Sequence, residues 1–572
     1  MKNRNASKNL VVALAGAALA GTAGAAEILV ASNIATSTTW TANNTYNLQQ
    51  QIYVLPGATL TIEPGTIIAS TTNLGGSLAI CRGAKINAIG TRDNPIIFTS
   101  KADVATWTGG DPKTGTWRAS CNEWGNVTIM GRGYISENAI PGNTPTFNAN
   151  NVADMEGLVP AFVGDPNVRY GGGDDDDDSG ALQYVSLRYG GKVVGLGNEL
   201  NGISLGGIGR QTEISHFEIM NNVDDGIEIW GGTVDVKYFS IWNIGDDSFD
   251  IDQGWRGRAQ FGLIVQGHSV GAQQGSGVGD NAIEVDGAEQ SDWQPVTTCT
   301  LYNMTVIGQP ISGDHGTAWR DNARMQVRNS IFMDLGERLV AADNIDGDGG
   351  AGYGFNGTLS WANTWTTPYN SYSTVNAPAN PGQFYTAQVD GRLAEIKDSV
   401  MFRNQNASAY TIANQVGVFN SKNSNVNAGN DAANMPIAGI TRGPNAVVFG
   451  SLVMQPVLNL DPRARNAAVT SVGAAPNNGF YTPAQFRGAF ASDANWLCGW
   501  SASDAFGMTA RNDCVVDALP CPADFDGDNS VLASDLTVLL GGWGTATGDL
   551  DGDGTTGGSD LTILLGSWGF CN

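Results

Sequence analysis

The chain has 572 residues and a formal net charge of −25, from 30 Lys+Arg against 55 Asp+Glu, and 76 of its residues are glycine. So large an acid excess excludes nucleic acid held through its phosphates and repels anionic membrane surfaces. Runs of Leu, Lys and Glu at helical period are scarce, so the composition predicts a mainly β chain of short strands and tight turns.

Residues 1–25 read as an export signal. Lys2, Arg4 and Lys8 form its basic start, Leu10 to Ala20 its apolar core, and Ala23-Gly24-Ala25 its small-residue cleavage site. The apolar run is too short to span a bilayer, so no membrane insertion is predicted and the expected location is extracellular or at the cell surface. Cleavage removes three positive charges and leaves about −28. All seven Cys lie beyond the signal, where export permits disulfides. The pairs expected are Cys81 with Cys121, Cys498 with Cys514 and Cys521 with Cys571, leaving Cys299 over.

From residue 26 the pattern is apolar alternation broken by Pro-Gly corners, as in Ile52-Tyr-Val-Leu-Pro-Gly-Ala-Thr-Leu60-Thr-Ile62-Glu-Pro-Gly. Farther on it becomes a repeat. Phe217, Phe239 and Phe261 recur every 22 residues, as do Ile219, Ile241 and Leu263; Ile227 with Phe249, and Ile229 with Ile251, keep the same interval. A fixed period of this size predicts a solenoid whose alternate residues point inward and stack on the next rung. The Leu and Asn signature of a leucine-rich repeat is absent, and a parallel β-helix fits.

Residues 26–340 resemble the pectate-lyase-like right-handed β-helix superfamily. More closely, the chain is similar to a group of uncharacterised secreted bacterial β-helix proteins. The residues carrying this are Asn94-Pro95-Ile96-Ile97-Phe98-Thr99-Ser100, Ser179-Gly180-Ala181-Leu182-Gln183-Tyr184-Val185, Asp224-Asp225-Gly226-Ile227-Glu228 with Gly231-Gly232-Thr233-Val234, and Gly488-Ala489-Phe490 with Asn495-Trp496. The resemblance implies fold and export more than chemistry.

Two adjacent rungs carry dense acid: Asp224-Asp225-Gly226-Ile227-Glu228 and Asp246-Asp247-Ser248-Phe249-Asp250-Ile251-Asp252, with Glu284 and Asp286 on a later rung. Inward Ile227, Ile229, Phe249 and Ile251 place Glu228 and Asp250 outward. Rungs stack about 4.8 Å apart, and like charges at that spacing repel. Three answers stay open. Ca²⁺ could bridge the carboxylates; Arg256, Arg258 or Lys237 could pair with them; or paired acids could perform proton transfer on a glycosidic bond. For the third, Asp225, Asp246-Asp247 and Gly267-His268 resemble the polygalacturonase arrangement. That resemblance implies Asp247 as acid, Asp225 and Asp246 as water-binding bases, and His268 as support. The chain departs from it in having Arg324-Met325-Gln326 where the family has Arg-x-Lys, and Ser269 after the His. The run Asp174–Asp178 reads as a solvated loop or a cation site, and Trp230 and Trp242 as sugar-stacking or edge-packing residues.

Residues 341–499 read as a loop-rich extension packed on the β-helix, with a helical patch near Arg392 to Met401, and 500–520 as a linker. The final segment, 521–572, holds one loop twice, 25 residues apart. Asp524, Asp526, Asp528 and Asp535 in the first copy, and Asp549, Asp551, Asp553 and Asp560 in the second, fill positions 1, 3, 5 and 12 of a calcium loop. Ser530 and Thr555 supply the carbonyl at position 7, and Leu532 and Gly557 leave position 9 to water. A short apolar helix follows each loop, and the closing residue is Asp. The segment resembles a dockerin, which implies two bound Ca²⁺ and a cohesin-type receptor as partner. The reading is thus a secreted, dockerin-anchored calcium-binding protein that binds or helps degrade polysaccharide. The alternative is a non-catalytic structural or adhesive surface protein.

Overall fold

A computed structural model describes residues 26–137, 151–195, 198–272, 276–288, 295–320, 323–342, 394–404, 423–510, 523–525, 530–551 and 553–570. The export signal and the cysteines at 514, 521 and 571 lie outside the described residues.

The inward positions of each rung are continuous columns, which is why the chain coils. One column runs Ile52, Leu78, Val127, Ile203, Ile227 and Phe249, and a neighbouring one Val54, Ile80, Ile129, Leu205, Ile229 and Ile251. These strands form one parallel sheet, and a bridge from Phe249 to Ile283 continues it into Glu284–Val285, Thr317–Trp319 and Val340–Ala342. The other two faces share long strands: Gly180–Arg188, Glu213–Asn222, Asp235–Ile244, Arg258–Val265 and Thr300–Ile307. Each bends at a residue of positive φ, namely Tyr184, His216, Tyr238, Phe261 and Asn303, and Asn221 and Asn243 add a second such residue near the ends of two of them. The bend turns the strand from one face to the next. Leu182, Ile214, Val236, Ala259 and Leu301 fill the core before it, and Leu187, Ile219, Ile241, Ile264 and Val306 after it. The result is a parallel β-helix of three faces around one apolar core.

The 22-residue period holds for one step and then slips. Phe217 opposes Phe239, their rings 5.5 Å apart and stacked, but Phe239 opposes Gly262 rather than Phe261. Ile264, not Leu263, continues the column of Ile219 and Ile241. Packing decides this: a Cβ on Gly262 would lie 2.3 Å from Phe239 and 2.5 Å from Met304, so no side chain fits between them. Phe261 instead takes the bend and joins a second row of rings outside the coil, with Tyr184, His216 and Tyr238 stacked at 4.4–4.9 Å.

That outer row is covered by residues 431–510. Phe486, Trp496 and Trp500 lie against it. Buried Glu218, on the outside of its strand, accepts hydrogen bonds from the amides of Ala502 and Ser503 and from Ser503 Oγ. The helix Ala502–Ala505 therefore starts on a carboxylate from the coil. Residues 501–510, expected as linker, are packed against the coil in this way, and residues 511–520 lie outside the described residues. The expected helical patch near Met401 is instead two strands, Glu395–Lys397 and Val400–Phe402, pairing in parallel with the preceding rung. Coiling thus continues past residue 340.

The five consecutive acids are partly solvated, with Asp174 and Asp176 exposed, and each meets a basic partner. Arg132 pairs with Asp174 and Asp177, Arg256 with Asp175, Arg210 with Asp176, and Lys85 with Asp178. The Asp175 pair is two-pronged, at 2.6 and 2.7 Å, and the Arg256 side chain is fully buried. Cys81 and Cys121 are buried free thiols in separate clusters, so the expected bridge between them is absent: Cys81 packs among Met130, Ile135 and Val168, and Cys121 against Val223 and Ala272. Cys299 is also free and buried, and Cys498 is disulfide-bonded with its partner outside the described residues.

Removing one member of the Arg256–Asp175 pair strands a buried charge, whereas removing both does not. Arg256→Met should lower unfolding stability by roughly 3–5 kcal/mol in urea denaturation, and the Arg256→Met/Asp175→Asn double variant by clearly less. Equal losses would mean the pair contributes only packing.

Candidate functional site

The outward column of the first sheet begins neutral and turns acidic. Tyr53, Ala79, Thr128 and Ser204 are followed by Glu228 and Asp250 in register. The Phe249–Ile283 bridge puts Glu284 next. Beside this column, the turn entering each strand carries a second ladder. The Asp225 amide donates to Asn201 Oδ1 at 3.2 Å, the Asp247 amide to Asp225 Oδ1 at 3.0 Å, and the Asn281 amide to Asp247 Oδ1 at 2.7 Å. Each turn is thereby held by the side chain of the turn below. Asp224, Asp246 and Asp280 precede Asp225, Asp247 and Asn281 by one position, Asp314 precedes His315 in the same way, and the four form a third acidic row. Asn201 also donates to Glu228.

Three sets of carboxylate oxygens converge to within 4.8 Å: Asp224, Asp225 and Asp246; Asp225, Glu228 and Asp250; and Asp246, Asp247 and Asp280. They share members, so together they make one continuous trench. Burial is the largest cause raising each of these acids, and neighbouring carboxylates add to it at all but Asp250, where Arg320 first and then hydrogen bonds pull downward. Asp225 stands well above the ordinary carboxylate range through burial and the charges of Asp224, Asp250 and Asp246. Asp247 does so through burial with Glu284 and Asp225, and Glu228 through burial with Asp250. Asp224 is pushed up to about 8, by burial and then Glu156, and Asp246 to about 7, by burial and then Asp280. Glu156 follows the strand Ala153–Asp154, which pairs with Arg169–Tyr170; Met155 and Tyr170 pack with Ala79, Met130 and Trp230 of this sheet. Burial of the Glu156 carboxyl and then the charge of Asp250 raise it to about 7, against a hydrogen bond with Glu228 that lowers it.

The cations proposed from sequence do not reach the trench. Arg256 is committed to Asp175, Arg258 to Asp235, and Lys237 to Phe480 O and Thr482 Oγ1. Among the described residues, the basic group against these acids is Arg320, which binds Asp286 at 2.9 Å and Glu284, and whose charge also acts on Asp250. Asp225, Asp246 and Asp247 are brought together. His268 is in none of these converging groups; burial moves its imidazole below the usual value. The histidine that continues the ladder is His315, whose Nδ1 lies 3.2 Å from Asn281 Oδ1. Arg324 and Gln326 are fully buried, and Gln326 pairs with Thr300 on another face of the coil. Trp230 packs beside Tyr170 and is 5% exposed, and Trp242 is wholly buried, so neither offers a face to a sugar.

Sequence reasoning missed Asp280, Asp314, His315, Arg320 and Glu156. The first three had a signal. Gly245-Asp246-Asp247, Gly279-Asp280-Asn281 and Gly313-Asp314-His315 repeat at an interval of 34 residues, not 22, because each later rung carries an insertion.

In the C-terminal segment, Asp549, Asp551 and Asp553 bring one oxygen each within 4.8 Å of one another. Asp560 closes the loop by accepting from the amides of Leu550, Asp551 and Gly557. Asp535 does the same for Phe525 and Leu532 in the first copy. Asp524 and Thr555 are in the described loops, whereas Asp526, Asp528 and the side chain of Ser530 lie outside what is described. Helices Ala533–Gly541 and Gly558–Gly566 follow the loops around a small core of Val531, Leu539 and Leu564.

With coil and trench in view, the comparison with known families is direct. A family model described as a pectate-lyase like beta helix domain matches residues 32–391, more than half of the chain. The chain belongs to that family. No curated protein and no solved structure matches it. The family membership covers the acidic rungs and stops short of the C-terminal duplicated loops.

The raised acids set a pH dependence. Their folded pKa values exceed the roughly 4 of an unfolded chain, so the folded state holds extra protons between about pH 4 and 8. Stability from this source is full below that window and is lost as pH rises through it. In chelator, the melting temperature should fall between about pH 5.5 and 8.5, and Asp246→Asn should flatten the slope. A profile that is flat in the native chain would mean Arg320 and the amides compensate the trench fully.

Proposed function

We propose that the trench is a calcium site on an exported β-helix protein that binds or helps degrade polysaccharide. The observation carrying this is the convergence of hard oxygen donors on one face with Arg320 as the basic group against them. Carboxylates crowded at rung spacing must protonate or take up cations, and a site of oxygen donors alone suits Ca²⁺. The amide-to-carboxylate ladder supports the reading because it fixes the acids before any ion arrives. Residues 1–25 supply the export signal on sequence grounds, which places the protein outside the cell or on its surface, where calcium is plentiful.

The C-terminal module acts in the same reading as a dockerin that takes two Ca²⁺ and docks to a cohesin-type receptor. What supports it is the converging Asp549, Asp551 and Asp553 and the paired helices. The exposed apolar residues also repeat: Val538, Leu540 and Trp543 in one copy match Ile563, Leu565 and Trp568 in the other. Apolar groups left outward at matching positions suit a protein partner.

A second reading is glycoside hydrolysis by Asp225, Asp246 and Asp247. It is favoured by their convergence, with burial and neighbouring carboxylates raising all three, as a general acid requires. His268 has no part in this reading, given its position.

Calcium at a hundredfold excess over its Kd should stabilise by about 2.7 kcal/mol per site. Calorimetric unfolding should show this at neutral pH, and Asp250→Asn should reduce the gain while Asp549→Ala removes a separate binding event in titration. No stabilisation by millimolar calcium would overturn the calcium reading. For the second reading, Asp247→Asn should abolish reducing-sugar release from whichever plant or algal polysaccharide the calcium-loaded chain cleaves, with its melting curve preserved. Cleavage of none of them would leave binding and anchoring.

A further inference from the structure

One rung beyond the oxygen-only trench, a histidine is wedged between carboxylates of two turns. Asp314 and His315 lie in the turn above Asp280-Asn281, and Glu337 and Arg338 in the turn above that. The Ala282 amide donates to His315 O at 3.0 Å, the Glu337 amide to Asp314 O at 3.2 Å and the Gly316 amide to Arg338 O at 2.8 Å. Three turns are stacked here through their backbones, and the His315 side chain reaches both of the turns beside its own.

His315 Nδ1 lies 2.6 Å from Asp314 Oδ1 and 3.2 Å from Asn281 Oδ1, and Nε2 lies 3.2 Å from Glu337 Oε2. A neutral imidazole has one N–H and one lone pair, whereas the imidazolium has two N–H groups. Both ring nitrogens face a carboxylate oxygen, so the imidazolium is the form that turns a proton to each. Burial is the largest influence on the ring and works against its charge, but Asp314 and then Glu337 outweigh it and hold the imidazole above its ordinary value. Asp314, although burial raises it, is pulled down to about 2 by hydrogen bonds from His315 and Ser276, so it stays ionised wherever a histidine titrates. Among the described residues, the charged groups facing the ring are Asp314 in its own turn and Glu337 and Arg338 in the turn above, with Asp280 of the turn below set behind Asp314.

The two carboxylates respond differently when the ring loses a proton. The Asp314 side chain is 5% exposed and that of Glu337 58%. The remaining proton stays on Nδ1, because an acceptor left unmet costs most where it is buried. Nε2 then turns a lone pair toward Glu337, and that exposed carboxylate turns to water. We propose that His315 is a pH-sensitive clasp between successive rungs, closed on Glu337 when the ring carries two protons and open when it carries one. With the folded value raised, the link is complete below the roughly 6.5 of an unfolded histidine and is lost as pH rises through the folded value. The turn so clasped is also a seat for later chain: Gln309 Oε1 and Ser312 Oγ accept from the amides of Gln455 and Val453, beside the hairpin of Ala446–Phe449 and Leu452–Met454. The clasp therefore acts where that hairpin is fastened to the coil. His315 is in none of the three trench sets, so the proposal does not rest on the calcium reading.

The chain has three histidines, so NMR of the full chain with labelled histidine follows three rings, and His315→Gln identifies the signal that belongs to this one. That signal should titrate above the roughly 6.5 of an unfolded histidine, and Glu337→Gln should move its midpoint down. Hydrogen exchange, corrected for its intrinsic pH dependence, should show the amides of Gly316 and Glu337 losing protection severalfold as pH rises through the midpoint, with no such step in Glu337→Gln. Glu337 is exposed, so its variant keeps the fold, and a melting curve checks this. A His315 midpoint at or below that of an unfolded histidine would overturn the clasp, and so would a midpoint that Glu337→Gln leaves in place. Protection unchanged across the midpoint would overturn it equally, by showing that the backbone bonds alone hold the turns together.

Discussion

Register between stacked rungs is the constraint on which everything else in this protein depends. Parallel strands about 4.8 Å apart repeat whatever their sequence places at a given position. Inside the coil that repetition is favourable, because apolar columns such as Ile52 to Phe249 exclude water along their whole length. Outside, the same repetition piles carboxylate on carboxylate. The coil therefore builds its most stable element and its least satisfied one from a single rule. The trench is not an accident of acidic composition but the outer surface of the columns that hold the fold together.

Two acidic stretches that look alike in the chain end up physically opposite. Asp174–Asp178 finds a base for each of its acids, drawn from Lys85, Arg132, Arg210 and Arg256, and becomes a pinned corner. In the trench, Arg320 meets Glu284 and Asp286 at its far end. The difference lies in residues far away in sequence, which coiling brings to one corner and not the other. This is why local reading assigned the basic partners wrongly: it looked for cations near the acids in the chain, whereas the coil delivers them from other rungs.

The core and the first acidic rungs were legible because they obey one period. Ile227, Ile229, Phe249 and Ile251 announced the inward face, and Glu228 and Asp250 followed as the outward one. Legibility ended where the period broke. Gly262 shifted one rung by a single residue to relieve crowding between Phe239 and Met304, which sent Phe261 to the outside. Insertions lengthened the interval to Asp280 and again to Asp314, which hid the continuation of the ladder and left His268 as a false successor. Trp230 and Trp242 were ambiguous for a different reason. Their burial depends on segments that cross the faces later, and no local pattern reports such covering.

The contact between Glu218 and the start of the Ala502 helix spans 284 residues of sequence. Rungs can close on their neighbours as the chain is made from its N-terminus, because each contacts the one before. The row of Tyr184, His216, Tyr238 and Phe261 cannot be covered until Phe486 to Trp500 exists. For most of synthesis, then, a nearly complete coil carries an uncovered aromatic seam and a buried-to-be carboxylate still in water. The closing segment works as a late latch, and the interval before it engages is when the growing chain is most open to self-association.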